Sequence, residues 1–453
     1  MRNLFFTVVS KKGLDPMRRL TSCALCGIIV ACLQVMTFAE EEKQEPKTTI
    51  SGFGYFMFGQ IVSGIVGNGI PDPTTSSGYI LKHYWQENAD VDLYLISKPN
   101  DWFTTKAGLS VIKSFPLQYG SMDKASFYTS FAFSIPMAEG IFHWTFNDQF
   151  IPISSLMIEA GFFQYTFSPE IKNLGNYMFR STVYPLSIQS RIDYPWADLM
   201  GMRTQVGFLD NKIKLEAILR SEIFQLPWYD WDLGFTGSYT PNKVIDVGAA
   251  VCFNRLLSVG HKPVQSDSMM KTMKATKVAA RFTFDPKPLF GDPVFFGPED
   301  FKVYGEAAVL GQKDTAVYDY VPKPIYWLGM PLHRMPLLLG INVPGFKILD
   351  VISVELEWFK SPYPNDWFGL LASNLPIPRD FPTLWEQDNY FKQDNLKWSV
   401  YLKKKIANFE IRAMAANDHV IYKTFNLENM PCFEQTLKRH GDWHWFFEFR
   451  FNL

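Results

Sequence analysis

Gly441-Asp442-Trp443-His444-Trp445-Phe446-Phe447-Glu448-Phe449-Arg450-Phe451-Asn452-Leu453 is the stretch whose alternation decides the fold. Side chains along an extended strand point to opposite faces in turn. Trp443, Trp445, Phe447, Phe449, Phe451 and Leu453 therefore share one face, and Asp442, His444, Phe446, Glu448, Arg450 and Asn452 share the other. One side suits hydrocarbon and the other suits water. A soluble sandwich rarely sets five large aromatics in such a row.

This strand resembles the closing strand of a Gram-negative outer-membrane β-barrel, whose lipid face ends in an aromatic residue. Here Leu453 is last and Phe451 stands two before it. The resemblance implies an all-β transmembrane antiparallel barrel in the outer membrane of a Gram-negative-type bacterium. Its implied partners are outer-membrane lipid and, during biogenesis, the barrel-assembly machinery.

The rest of the chain is consistent with that expectation. Arg18 and Arg19 precede the apolar run 20–36, and Thr37-Phe38-Ala39 offers a cleavage site, so residues 1–39 read as a signal peptide. Met17 is an alternative start, and Ile29-Val30-Ala31-Cys32 a rival lipoprotein box. Residues 40–453 read as one barrel domain behind a short polar tether, 40–48. Cys23, Cys26 and Cys32 fall in the signal; Cys252 and Cys432 remain, either as a disulfide or as two thiols. The first 39 residues carry five basic and one acidic side chain, so their removal takes the net charge from −1 to −5. No basic excess points to nucleic acid. Aromatics make up 16% of the chain, and no later run approaches the ~20 apolar residues of a spanning helix. A closed sheet is the other way to cross a membrane.

Alternation recurs along the chain. Ala89, Val91, Leu93 and Leu95 oppose Asn88, Asp90, Asp92 and Tyr94; Ile213, Leu215, Ala217 and Leu219 oppose Lys212, Lys214 and Glu216. The same dyad returns at 245–254, 396–403 and 409–413. Segments of ~9–11 residues with this pattern, joined alternately by short and long connections, are the barrel signature. Strands are expected near 49–61, 86–97, 101–113, 125–136, 154–166, 199–209, 213–224 and 230–240. They continue near 244–256, 274–285, 301–311, 337–343, 347–359, 394–404, 408–417 and 440–453. That makes about sixteen, with fourteen or eighteen still open. Residues 137–154 and 286–300 are long for turns at the short end, and Ile141, His143 and Thr145 leave room for an extra strand. Long loops are expected at 62–84, 168–198, 258–270, 312–334, 360–395 and 418–439.

The polar face of these strands should point inward. Candidate lumen residues are Asp90, Asp92, Lys106, Glu159, Arg203, Arg281, Glu306, Glu355, Glu357, Arg412, Glu448 and Arg450, with Lys214, Glu216, Asp232, Asp246, Lys277, Lys302, Lys397 and Glu410 beside them. The signs nearly balance, which suits either cross-strand pairing or a weakly selective pore. The loop 168–198 leaves the fifth strand. In porins the loop after that strand folds into the channel, so the position resembles theirs, and Glu170, Lys172, Arg180, Arg191 and Asp193 become constriction candidates. A surface loop packed on its own aromatics is the other reading.

Enzyme signatures are missing: no Gly-x-Ser-x-Gly, phosphate loop or His-Glu-x-x-His occurs. No catalytic residue, metal site or cofactor is expected. The expected function is an outer-membrane channel passing small hydrophilic solutes. A plugged barrel acting as adhesin or scaffold is the alternative. An outer-membrane hydrolase, resting on His419, His440 and His444 near Asp418 and Asp442, is a third.

Overall fold

A computed structural model describes residues 47–67, 78–114, 131–146, 152–180, 197–221, 231–257, 275–291, 295–309, 335–359, 396–417, 421–425, 431–435 and 441–453. The signal-peptide reading of 1–39, and Arg191 and Asp193, lie outside them. The strands are β1 (Lys47–Gly67), β2 (Gly78–Asn100), β3 (Phe103–Ser114), β4 (Phe131–Ser134), β5 (Ala138–Thr145), β6 (Ile153–Tyr165), β7 (Ala197–Phe208), β8 (Ile213–Ser221), β9 (Trp231–Tyr239) and β10 (Ile245–Leu257). There follow β11 (Ala275–Phe284), β12 (Val303–Val309), β13 (Leu337–Asn342), β14 (Val351–Trp358), β15 (Leu396–Ile406), β16 (Phe409–Ala416), β17 (Ile421–Phe425), β18 (Pro431–Gln435) and β19 (Trp443–Asn452).

All the pairings in the wall are antiparallel, and β1 pairs with both β2 and β19, which closes the sheet. The terminal strand thus lies beside the first, with Leu453 N–H donating to Gly52 O at 2.8 Å. β4 and β5 both pair with β3 and make one stave of the wall, interrupted at Ile135–Met137. Pro136 has no N–H to give to a ladder, and Gly108 N–H reaches Met137 O across the gap at 2.8 Å. β17 and β18 pair only with each other. Among the described residues the wall therefore has sixteen staves, the even number the alternation implied.

Three expectations are corrected. Residues 138–145 belong to the fourth stave rather than to a long turn or an extra strand, because β5 continues the ladder that Pro136 breaks. Much of 62–84 is paired: β1 and β2 remain in register from Ser63↔Lys82 to Gly67↔Gly78, four rungs beyond Ser63↔Trp443, the last shared with β19. The connection 418–439 contains the β17–β18 hairpin. The two ends of the wall differ as expected. Turns such as 209–212, 240–244 and 407–408 are short, whereas connections at the opposite end are long. Consecutive left-handed residues Leu209, Asp210 and Asn211 make one such turn. In another, Asn242 Oδ1 accepts the N–H groups of Val244 and Ile245 at 2.9 and 3.1 Å.

Burial is inverted relative to a soluble sheet. On β13, outward Leu337, Leu339 and Ile341 are exposed while Leu338, Gly340 and Asn342 are buried. On β19, outward Phe447, Phe449 and Phe451 are exposed while His444, Phe446, Glu448 and Arg450 are buried. An apolar outer face around a polar interior matches hydrocarbon outside.

Candidate functional site

The site begins where β6 ends. Residues 166–180 do not run over the rim. Ser168 Oγ donates to Glu306 on β12 at 2.8 Å, and the N–H groups of Lys172, Asn173 and Leu174 donate to Glu355 on β14 at 2.6, 2.9 and 2.8 Å. β6 is the fifth stave and β14 the thirteenth, eight staves away in a ring of sixteen. A segment bonded to inward side chains on the opposite wall must cross the bore.

The return path is anchored the same way. Asn176 and Tyr177 N–H donate to Glu306 at 2.7 and 2.8 Å, and Tyr177 Oη donates to Glu357 at 2.9 Å. Lys277 Nζ, fully buried on β11, donates to the carbonyls of Tyr177 and Met178 at 2.9 and 3.2 Å. Two left-handed residues, Gly175 (φ 83°) and Asn176 (φ 58°), turn the chain so that both adjacent N–H groups reach one carboxylate. The φ of 83° favours glycine at 175, and an added Cβ would also push on the Ile171 Cδ1 methyl at 2.5 Å. Gly340 plays a steric part: its missing side chain admits the Tyr304 ring, whose hydroxyl donates to Glu355 at 2.9 Å.

Beneath the loop the inner wall is built from small side chains. Ala250, Cys252, Ala279 and Ala308 form one buried cluster with Ile171, Leu174, Tyr177 and Met178. Cys252 is fully buried in this cluster. At the loop's base Lys302 Nζ donates to Glu170 at 3.0 Å and Glu299 at 2.9 Å, with Lys172 3.5 Å from Glu299. Burial disfavours the Glu299 charge, but Lys172 and Lys302 outweigh it and hold the carboxyl below its usual range. Burial likewise opposes the Lys302 ammonium, and Glu170 with Glu299 raises it above its usual value.

The other candidate lumen residues stand on inward positions and pair either across strands or with the next inward residue of the same strand. Lys106 meets Glu139 at 2.7 Å; Arg203 meets Glu159 at 3.3 Å and Glu216 at 2.5 Å; Arg281 meets Asp246 at 2.6 Å. Glu448 takes Arg450 at 2.9 Å and Arg412 at 3.7 Å, while Arg412 also pairs with Glu410. Asp90 accepts from Ser110 and Asp92 from Tyr94. The Arg450 guanidinium lies 4.1 Å from the centre of the Phe53 ring. Glu170 and Lys172 are brought together; the Arg180 side chain lies outside the described residues, as do His419 and His440. His444 stacks on Phe446 on the inner face of β19. Among the described residues no group of three or more His, Cys, Asp or Glu is placed to hold a metal.

No protein-family model matches the chain, and no curated protein does. Among solved structures, a triple mutant of Rh. blastica porin aligns with a TM-score of 0.41 at 9% identity, covering 90% of this chain and 100% of that one. A double mutant of the same porin gives 0.39 at 8% identity, with the same coverage. Likenesses of this degree assign no function. By its own topology the chain is, over its described residues, a closed antiparallel β-barrel of sixteen staves, with the segment 166–178 after the fifth stave folded inside.

Proposed function

We propose that the chain is an outer-membrane porin passing small hydrophilic solutes with weak selectivity, exported by a signal peptide at 1–39. The observation that carries this reading is the loop bonded across the bore to Glu306 and Glu355. About sixteen strands enclose more space than wall side chains fill. A loop held within that space narrows the bore without forming part of the wall. Its described contacts fall on staves five to thirteen. Solute would pass along the remaining wall, past Lys106, Glu410, Arg412, Glu448, Arg450, Asp90 and Asp92. Paired charges of both signs there favour neither anions nor cations strongly. The constriction would be set by Glu170, Lys172, Arg180, Arg191 and Asp193.

The test is planar-bilayer conductance of the purified protein. Removing residues 174–185 should raise conductance, and Arg180→Glu should shift selectivity toward cations. Unchanged conductance and selectivity in both variants would remove the loop from the mechanism. The second reading is a plugged barrel serving as adhesin or scaffold. The cluster of Phe163, Tyr177 and Met178 inside the wall favours it, and absence of any channel in the bilayer would put it first.

A further inference from the structure

Apart from Glu299, which pairs with Lys172 and Lys302, the long turn at 286–300 has no part in the proposed conduction path. It lies at the end of the wall where other turns are short and polar, as in Asp210-Asn211-Lys212 or Pro241-Asn242-Lys243. This one opens with a short 3-10 helix, Lys287–Phe290. It is built rather than slack. Lys287 Nζ donates to Asp300 O at 2.5 Å and to Asp285 at 2.9 Å. The Asp300 carboxylate accepts Gly297 N–H within its own turn at 2.8 Å and Gly345 N–H of the β13–β14 turn at 2.9 Å. One carboxylate thus staples two turns, and the pair presents apolar side chains outward. Phe290 is 75% exposed, Phe295 60%, Phe346 55% and Ile348 76%.

The surface adjoins the outer face of β13, where Leu337, Leu339 and Ile341 are exposed. Phe301, the left-handed residue (φ 62°) that leads into β12, is itself exposed and donates its N–H to Asn342 O at 3.0 Å. Phe296 meets the Phe301 ring edge-on at 4.7 Å, Phe295 packs on Phe296 at 4.3 Å, and Phe346 lies 5.9 Å from Phe296. The aromatic group therefore continues the apolar outer face formed by Phe282, Phe284, Leu339 and Ile341. Lys347, exposed between Phe346 and Ile348, adds a cation at its edge.

We propose that these two turns form a rigid apolar foot that inserts into the phospholipid headgroup layer of the periplasmic leaflet, with Lys347 facing lipid phosphate. Aromatic rings suit that interface, and a lysine beside them suits its anionic groups. The foot occupies the β11–β14 sector, which also receives the internal loop, so it anchors the wall where the loop is attached. This inference rests on the membrane-spanning reading above, and the experiment separates the two.

A photoreactive benzoylphenylalanine is placed singly at Phe290, Phe346, Leu339 or Asn242 in the full chain. Each protein is reconstituted in phosphatidylethanolamine–phosphatidylglycerol vesicles, irradiated and analysed by mass spectrometry. Lipid adducts are expected at Phe290 and Phe346 in yield comparable to Leu339 on the belt, and none at Asn242. Adducts at Leu339 without any at Phe290 and Phe346 overturn the foot and leave the membrane barrel standing. No adduct at Leu339 overturns the membrane reading itself. Cross-links from Phe346 to a second copy overturn the lipid assignment and make the surface a contact between copies.

Discussion

Glu355 holds the tip of the internal loop, and replacing it with glutamine measures how firmly. Oε1 accepts Lys172 N–H and Tyr304 Oη at 2.6 and 2.9 Å; Oε2 accepts Asn173 and Leu174 N–H at 2.9 and 2.8 Å. Glutamine keeps the volume but sets an NH2 group against one of these pairs of donors. Two hydrogen bonds to a charged acceptor are lost, at about 1.5–3 kcal/mol each, or about 3–6 kcal/mol together. Since about 1.4 kcal/mol is tenfold, the low end raises the population of released tip by about two orders of magnitude. The bonds of Ser168, Asn176 and Tyr177 to Glu306 remain, so release is confined to the tip. Hydrogen exchange read by mass spectrometry should therefore quicken about 100-fold at 172–174 in Glu355→Gln and much less at 176–177. Tyr304→Phe removes only the hydroxyl and should have the smaller effect. If exchange at 172–174 is unchanged while the barrel still shows heat-modifiable migration, the carboxylate is not what holds the tip.

Three other outcomes are expected. Gly175→Val forces a branched side chain into a left-handed position against Ile171 and Glu306; open-channel noise should rise in bilayer recordings while the barrel still assembles. Phe449→Arg puts a cation on the lipid face, at about 2–4 kcal/mol if near mid-bilayer, and should reduce the folded fraction on a heat-modifiability gel. The base cluster predicts a pH window. Glu299 is depressed in the folded protein, so its contribution is present above the ordinary carboxylate pKa and lost as pH falls through the lower, folded value. Lys302 is raised, so its contribution is complete below the ordinary lysine pKa and lost as pH rises through the higher, folded value. Loop anchorage at the Glu170 end, measured by exchange at 170–171, should thus be flat between about pH 5 and pH 10 and weaken outside that range. Glu299→Gln should abolish the acid limb, and an acid limb that survives it would assign the effect to another group.

The staves and their faces were legible because period-two alternation is a local property. Leu337, Leu339 and Ile341 against Leu338, Gly340 and Asn342 illustrate its limit: the residues are all apolar or small apart from Asn342, and only the neighbouring acidic rung Glu355–Glu357 tells inside from outside. The fourth stave was misjudged at Pro136, where a residue that ends most ladders marks a gap that β5 resumes across. The pairing of 63–67 with 78–82 was hidden because glycine-rich sequence carries little facial contrast. Glu306, Glu355 and Glu357 were visible as inward carboxylates, but their partners were not. The bonds join residues 129–183 positions apart and depend on main-chain N–H groups, which every non-proline residue carries. The available signals were the left-handed pair Gly175-Asn176 and the inward alanines 250, 279 and 308 on successive staves.

That same use of the main chain separates two jobs within one segment. Five N–H groups, from Lys172, Asn173, Leu174, Asn176 and Tyr177, hold the loop to two wall carboxylates. These five bonds do not depend on which side chains stand at 172 and 173, whereas Gly175 and the wall residues Glu306 and Glu355 are fixed by geometry. Under the channel reading proposed above, an engineer could exchange the charges at 170 and 172 together with those of their wall partners Lys302 and Glu299, leaving 173–178 in place, and expect permeability to move without loss of the assembled barrel.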